Sequence, residues 1–312
     1  MRIVFFGSPI DAAPSLRVLQ EGGHEIACVY TQPDRPAGRA REPVPTPVRQ
    51  AAVGLGIPTR TPKSLRDESV QAELASLSAD VFVVVAYGRI LPPPVLAMPR
   101  LGVLNVHPSM LPRYRGPSPV ASAILDGAKA TGVTIMLLDE GMDTGPILLQ
   151  SEPVPLRGDE TTGDLTRRLF EMGVEMLPGA LDGLEAGTVR PREQDDSQAT
   201  VTRLLSREDG ALDWRRPAEH LERMVRAHDP WPGTHTSWKG KGLKVLEAQV
   251  AVGDAAPGGQ PGRVTVHNGR MFVSAGDGAL ELLRVQLEGR RPVDSAEFLR
   301  GYPEVNGSVL PS

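Results

Sequence analysis

The 312-residue sequence contains a single cysteine, Cys28. An intramolecular disulfide is therefore excluded, and so is a zinc or iron–sulfur site built on several thiolates. A chain of this length can bury a core without such staples. Long apolar runs are also missing. The opening segment MRIVFFGSPIDAAP is continuously apolar only briefly before Gly7. That is too short for a signal-peptide core or a membrane span, and no later stretch reaches about 18 uninterrupted apolar residues. A soluble, cytoplasmic protein is expected, in a reducing compartment. Positive charge is not in excess: 34 Lys and Arg face 38 Asp and Glu, for a net charge of −4. Contact with a polyanion would have to use a local basic surface. No G-x-G-x-x-G and no G-x-x-x-x-G-K-[ST] is present, which argues against dinucleotide and P-loop chemistry. Gly7-Ser8-Pro9 reads instead as a tight strand-to-helix turn, since Pro9 lacks the N–H that a phosphate cradle would use. Internal repeats and low-complexity tracts are absent.

What is there fits about two domains. With 33 Gly and 30 Pro, many short loops should join the ordered elements. Residues 2–6 are an apolar run, 11–21 have helical composition, and 26–30 are rich in strand formers, which makes a β-α-β opening. Residues 81–86 (VFVVVA) are apolar throughout, as in a central parallel strand covered on both faces. Further strands are expected at 102–107 and 133–138. Ser64 is a candidate cap for a helix over 65–77, with Val70, Leu74 and Leu77 on one stripe. A helix near 162–187 carries Leu165, Leu169, Met172 and Met176 on one face. The alternation predicts a Rossmann-like, doubly wound, mostly parallel α/β sheet in a catalytic domain over 1–187. Residues 188–204 are polar and aperiodic and read as a linker. From 205 to 312 the pattern becomes short strands with Asn-Gly and Asp-Gly turn signals, predicting a small antiparallel, OB-like β-barrel domain. Cys28 falls in a predicted strand and reads as a core residue.

The stretch 105–119, NVHPSMLPRYRGPSP, follows a predicted buried strand. Asn105 and His107 are two apart, so on a strand they share a face. Ligands bind at the carboxyl ends of strands in open α/β sheets. An amide and an imidazole side by side at such an end suit a developing oxyanion; a satisfied polar pair closing the strand is the plainer alternative. After 133–138 come Asp139, Glu140 and Asp143 around a Gly-rich turn. One of these acids facing His107 would favour the charged imidazole, although acid-and-glycine turns are also common on surfaces. A third loop, Ala86-Tyr87-Gly88-Arg89-Ile90-Leu91-Pro92, leaves a third buried strand. Together the three loops could enclose one apolar cleft with a few polar groups. A single imidazole with an amide is a poor transition-metal set, so no metal is expected.

The segments GSPIDAA, TQPDRPAGR, VVVAYGRILP, NVHPSMLPRYRG and GVTIMLLDEGMDTG, with the later Asp229-Pro230-Trp231-Pro232, together resemble the methionyl-tRNA formyltransferases over essentially the whole chain. The N-x-H…D core alone is shared with glycinamide ribonucleotide formyltransferase and other 10-formyltetrahydrofolate enzymes. The arginine-bearing loop and the C-terminal β-domain point to the tRNA family. The resemblance implies formyl transfer from 10-formyltetrahydrofolate to the α-amino group of methionyl initiator tRNA. Asn105, His107 and Asp143 match the catalytic positions. Ser109, Met110, Leu111 and Pro112 match the folate-contacting run, with Tyr87, Gly88, Ile90, Leu91, Asp139 and Gly141 lining the same pocket. Arg35, Arg39 and Arg41 lie on the loop that would reach the tRNA acceptor arm, and a monomer is expected. Departures are Met110 where Leu is commoner, Pro108 where Gly is frequent, and Pro117-Ser118 where Ala-Ala is usual. A formyltransferase for a small amine and a noncatalytic RNA-binding module are the competing readings. Intact Asn105, His107 and Asp143 weigh against the second. In the C-terminal part, Arg215, Arg216, Arg223, Arg226, Lys239, Lys241 and Lys244 could form a basic strip. Trp231, set between prolines, reads as packing, whereas Trp238 could stack on a base.

Overall fold

Apolar runs alternating with helical stretches build a seven-stranded sheet, in a computed structural model that describes residues 1–37, 42–252 and 259–312. Its strands in chain order are β1 (Arg2–Gly7), β2 (Glu25–Tyr30), β3 (Thr59–Arg60), β4 (Val81–Val85), β5 (Val103–His107), β6 (Thr134–Leu137) and β7 (Ile147–Gln150). Across the sheet the order is β7-β6-β5-β4-β1-β2-β3. Pairing is parallel from β5 through β4, β1 and β2 to β3, and antiparallel where β6 meets β5 and β7. All five residues of β4 are buried, as a strand covered on both faces requires. Phe6 stacks on Tyr30 and meets Tyr87 edge-on, with ring centroids 5.2 and 5.3 Å apart. Cys28 is buried among these residues, and burial pushes its thiol up to about 11.

The chain divides into two units. The first holds residues 1–119, 130–155 and 166–202, and the second 120–129, 156–165 and 203–312. Two elements depart from the periodicity reading. The helix expected over 65–77 spans Glu68–Ser76 with Asp67 at its cap. The Ser64 hydroxyl instead accepts from the Arg66 N–H at 3.0 Å, so it closes a turn ahead of the helix, as serine side chains often do. The polar stretch 188–204, read as a linker, is strapped to the first unit up to Thr202. Arg192 bridges to Ile147 and Val201 to Arg115. Backbone pairing of this kind leaves no hydrophobic period for sequence reasoning to detect.

The second unit carries an antiparallel six-stranded sheet: Thr234–Trp238, Lys241–Val250, Val264–His267, Arg270–Ser274, Ala279–Leu287 and Val293–Asp294. Among the described residues its first strand and Val264–His267 do not pair with each other. The helix Ala218–Ala227 lays Leu221, Met224 and Val225 into the core of this unit. Trp238 is also core, with its ring 5.9 Å from Phe298 and 5.6 Å from Tyr302. Trp238, a candidate for stacking on a base, packs in this core, whereas Trp231, read as packing, is 51% exposed. The basic strip is partly spent on internal pairs. Arg226 grips Glu222 at 2.6 Å, Arg215 grips Asp213 at 2.7 Å, and Lys239 meets Glu304 at 3.0 Å.

Candidate active site

The site forms where β5 ends. Asn105 and His107 point to the same face of that strand, while Val106 between them points to the other. Behind it stands the helix Thr162–Glu185, whose Gly173 comes so close that a Cβ there would lie 2.4 Å from Val106 Cγ1. The imidazole of His107 is buried, and its Nε2–H donates to the Tyr114 carbonyl at 2.9 Å. That bond fixes the ring, leaving Nδ1 as the working nitrogen. Nδ1 lies 3.6 Å from Asp143 Oδ2, and the Asn105 amide nitrogen lies 3.5 Å from Asp143 Oδ1. Both separations are at or beyond the limit of a direct hydrogen bond. The carboxylate is anchored instead by the Gly116 N–H, which donates to Oδ2 at 2.8 Å.

The acid does not arrive as the sequence suggests. Because β6 runs antiparallel to β5, with Leu137 opposite Leu104 and Thr134 opposite His107, its carboxyl end lies toward the start of β5. Asp143 reaches the imidazole because the loop 138–146 turns back over the sheet face. Asp143 itself adopts a left-handed φ of 53°, a conformation that aspartate tolerates better than most side chains. Asp139 shapes the same loop, its carboxylate accepting from the Gly141 N–H at 3.0 Å and from the Thr144 hydroxyl at 2.7 Å. A side chain at Gly141 would place its Cβ 2.0 Å from Thr144 Oγ1.

The other expected pocket residues divide between surface and scaffold. Ile90 is 84% exposed, beyond the end of β4, which neighbours β5. Met142, next to Asp143, is also exposed. Leu91 is buried, as is Tyr87, whose ring packs in the core. The Tyr87 and Gly88 carbonyls accept from the Gln32 side-chain amide at 3.0 and 3.1 Å, and the Ser8 hydroxyl donates to the Tyr87 carbonyl at 3.2 Å. In the run 109–112, the Ser109 hydroxyl donates to the Arg113 carbonyl at 2.7 Å, and the Leu111 N–H donates to the Thr134 hydroxyl at 3.1 Å. Leu111 packs with Met136 and Ile147. Met110 is half-buried, its sulfur against Gly132 and Ser151, and the Pro112 carbonyl accepts from the Thr200 N–H at 3.2 Å. Of the arginine loop, Arg39 and Arg41 lie outside the described residues, and Arg35 sits on a short strand, Arg35–Ala37.

Sequence reasoning missed the bracing around the site. Thr200 accepts the Tyr114 N–H on its hydroxyl at 2.8 Å, and Thr202 donates its N–H to the Arg115 carbonyl at 2.7 Å. The buried Arg115 donates to Gln194 Oε1 at 3.0 Å and to Asp196 at 2.6 Å. These partners lie some 80 residues away in sequence, so no local spacing signals them. Among the described residues there is no group of His, Cys, Asp or Glu able to hold a metal ion, and no helix long and apolar enough to cross a membrane.

The Rossmann-like sheet, with Asn105, His107 and Asp143 gathered at the end of one central strand, belongs to a chain that matches formyl transferases over most of its length. Residues 1–181 match the family described as "Formyl transferase", and residues 204–303 match "Formyl transferase, C-terminal domain". The chain is 50% identical over 311 residues to a methionyl-tRNA formyltransferase of Roseiflexus castenholzii, covering 99% of both chains. It is 46% identical over 304 residues to that of Stutzerimonas stutzeri, covering 97% of this chain and 96% of the other. Among solved structures, HypX from Aquifex aeolicus in complex with tetrahydrofolic acid superposes with a TM-score of 0.67 at 20% identity, over 99% of this chain and 48% of that one. The chain belongs to the methionyl-tRNA formyltransferase family.

Proposed function

We propose that this protein transfers the formyl group of 10-formyltetrahydrofolate to the α-amino group of methionine carried by initiator tRNA. The observation that carries the reading is the convergence of Asn105, His107 and Asp143 in a chain about half identical, end to end, to enzymes of that name. The residues suit a folate carrier. Exposed apolar groups, Ile90 and Met142, flank half-buried polar ones, the mix expected of a small-molecule cleft. Tyr87, Gly88, Ile90, Leu91, Ser109 to Pro112, Asp139 and Gly141 form or shape that cleft. Arg35, Arg39 and Arg41 contact the tRNA, where guanidinium groups meet phosphates and base edges.

The chemistry follows from the geometry. The amine nitrogen bonds to the formyl carbon, and the bond from that carbon to N10 breaks. The Asn105 amide donates to the oxygen as charge develops on it, and His107 presents to the same oxygen the Nδ1 side that its Tyr114 bond leaves available. Asp143 takes a proton from the attacking amine and returns it toward N10, so that the proton count balances. The separations of 3.5 and 3.6 Å around the carboxylate are long for hydrogen bonds, so the three groups can turn to substrate.

Single-turnover formylation tests the reading. With 10-formyltetrahydrofolate as donor, methionyl initiator tRNA should be formylated rapidly, and methionyl elongator tRNA or free amines such as glycinamide ribonucleotide poorly. Equal or better transfer to a small amine would replace the proposed acceptor. An Arg39→Ala/Arg41→Ala protein should lose tRNA use far more than folate binding; parallel loss of both would remove the loop from acceptor recognition.

A further inference from the structure

The catalytic acid and the catalytic imidazole are held by different parts of the chain, and one side chain ties those parts together. The side-chain amide nitrogen of Gln194 donates both its hydrogens into the acid-bearing loop, to the Asp143 carbonyl at 2.8 Å and the Gly145 carbonyl at 2.7 Å. Its amide oxygen accepts from Arg115 Nε at 3.0 Å. The orientation is forced, because a flipped amide would set its oxygen against two carbonyls and its N–H groups against a guanidinium. Arg115 stands between the two backbone groups that anchor the site: the Tyr114 carbonyl takes the His107 Nε2–H, and the Gly116 N–H holds Asp143 Oδ2. Arg115 is itself buried and pinned at its far end by Asp196.

We infer that Gln194 is a positioning residue for formyl transfer: by clamping the Asp143 and Gly145 carbonyls to Arg115, it sets where the Asp143 carboxylate stands relative to His107 and Asn105. This rests on the assignment of Asp143 to the reaction made above. The acid needs such a clamp for two reasons. Its loop is hydrogen-bonded through the backbone to the sheet only at its ends, Leu138 and Pro146, and Asp143 between them has a left-handed backbone that an unrestrained loop would not hold. Gln194 is not among the residues assigned above to the acceptor or the folate, so its contribution should appear mainly in turnover. Displacing a reacting group by about 1 Å costs up to about 10²-fold in rate.

Gln194→Leu removes all three hydrogen bonds. Gln194→Glu keeps the acceptor for Arg115 but opposes the two carbonyls with a carboxylate. Both should lower kcat for formyl transfer to methionyl-tRNA by about 10–100-fold, with KM for 10-formyltetrahydrofolate within about twofold of wild type. Ser197→Ala, which loosens the turn 196–198 in the same segment without touching the acid loop, should leave kcat unchanged. In an Asp143→Asn background, Gln194→Leu should cost no more than about threefold further, because coupled residues are non-additive. A Gln194→Glu protein with wild-type kcat, or full additivity with Asp143→Asn, overturns the inference. So does a matching loss in Ser197→Ala, which would make the effect one of general loosening. An Asp143→Asn protein that turns over at the wild-type rate would overturn the site assignment and this inference together. A slow Asp143→Asn beside an unimpaired Gln194 variant overturns the inference alone.

Discussion

The two ring nitrogens of His107 have different partners, and on the proposed reading only one of them serves the reaction. Nε2 is committed to the Tyr114 carbonyl, which leaves Nδ1, 3.6 Å from the Asp143 carboxylate, as the remaining ring nitrogen. His107→Ala removes the donor together with its hydrogen bond to that carbonyl; Asn105→Ala removes only a donor. Loss of one preorganised donor to a developing oxyanion lowers rates by about 10²–10³-fold. We expect kcat to fall by that order in each variant, with circular dichroism and melting temperature close to wild type for Asn105→Ala. A folded Asn105→Ala protein of full activity would exclude the amide from the reaction. These two residues were legible in the sequence because a spacing of two on a strand is a statement about one face. Asp143 was legible only by resemblance, and Gln194 not at all. Its partners are backbone carbonyls, which any sequence provides.

At the scale of elements, the site depends on how closely its scaffold packs. Gly173 lets the helix Thr162–Glu185 approach the back of β5, and a Cβ there would lie 2.4 Å from Val106 Cγ1 and 3.0 Å from Val133 Cγ1. Two effects of Gly173→Ala oppose each other. Helix propensity favours alanine by up to about 1 kcal/mol. Overpacking against branched, buried side chains costs about 1–3 kcal/mol. Overpacking should win, with chemical denaturation showing a net loss on the order of 1 kcal/mol. A variant more stable than wild type would mean that the helix moves away freely. The strands and long helices themselves were readable from apolar runs and stripes. The direction of β6 was not, because apolar content says nothing about whether a strand runs parallel to its neighbour. Only the pairing of Thr134 with His107 reveals that the acid must come back over the sheet.

For the whole molecule, ionisable groups in the second unit set its response to acid. The Arg203 guanidinium, then the Ser206 N–H, hold the Asp209 carboxyl well below the usual carboxylate range. Arg270 holds Glu281 down in the same manner. Depressed carboxyls stabilise above their unfolded values, near 4, and lose that stabilisation as pH falls through the folded ones. Burial pushes the His228 imidazole below its ordinary 6.5. A depressed imidazole costs nothing above 6.5, where it is neutral in both states, and disfavours the fold as pH falls below that value. All three have the same sign. Melting temperature should therefore decline as pH drops below about 6.5, and more steeply below about 4.5. Asp209→Asn should melt lower at pH 7 and vary less with pH at the acid end. A melting temperature that stays level or rises between pH 7 and pH 3 would contradict this ordering.

By itself the sequence determined the succession of strands and helices, the change from a parallel to an antiparallel pattern near residue 205, and the pair Asn105 and His107. Those are properties of period and local chemistry, carried within a few residues. Only the tertiary structure decided that β6 runs backwards, that the stretch 188–202 is an arm laid along the first unit, and that Gln194 ties Arg115 to the loop carrying Asp143. Each of these rests on backbone hydrogen bonds and long-range pairs, and the groups that make them are the same in every kind of residue or lie too far apart in the chain to leave a pattern.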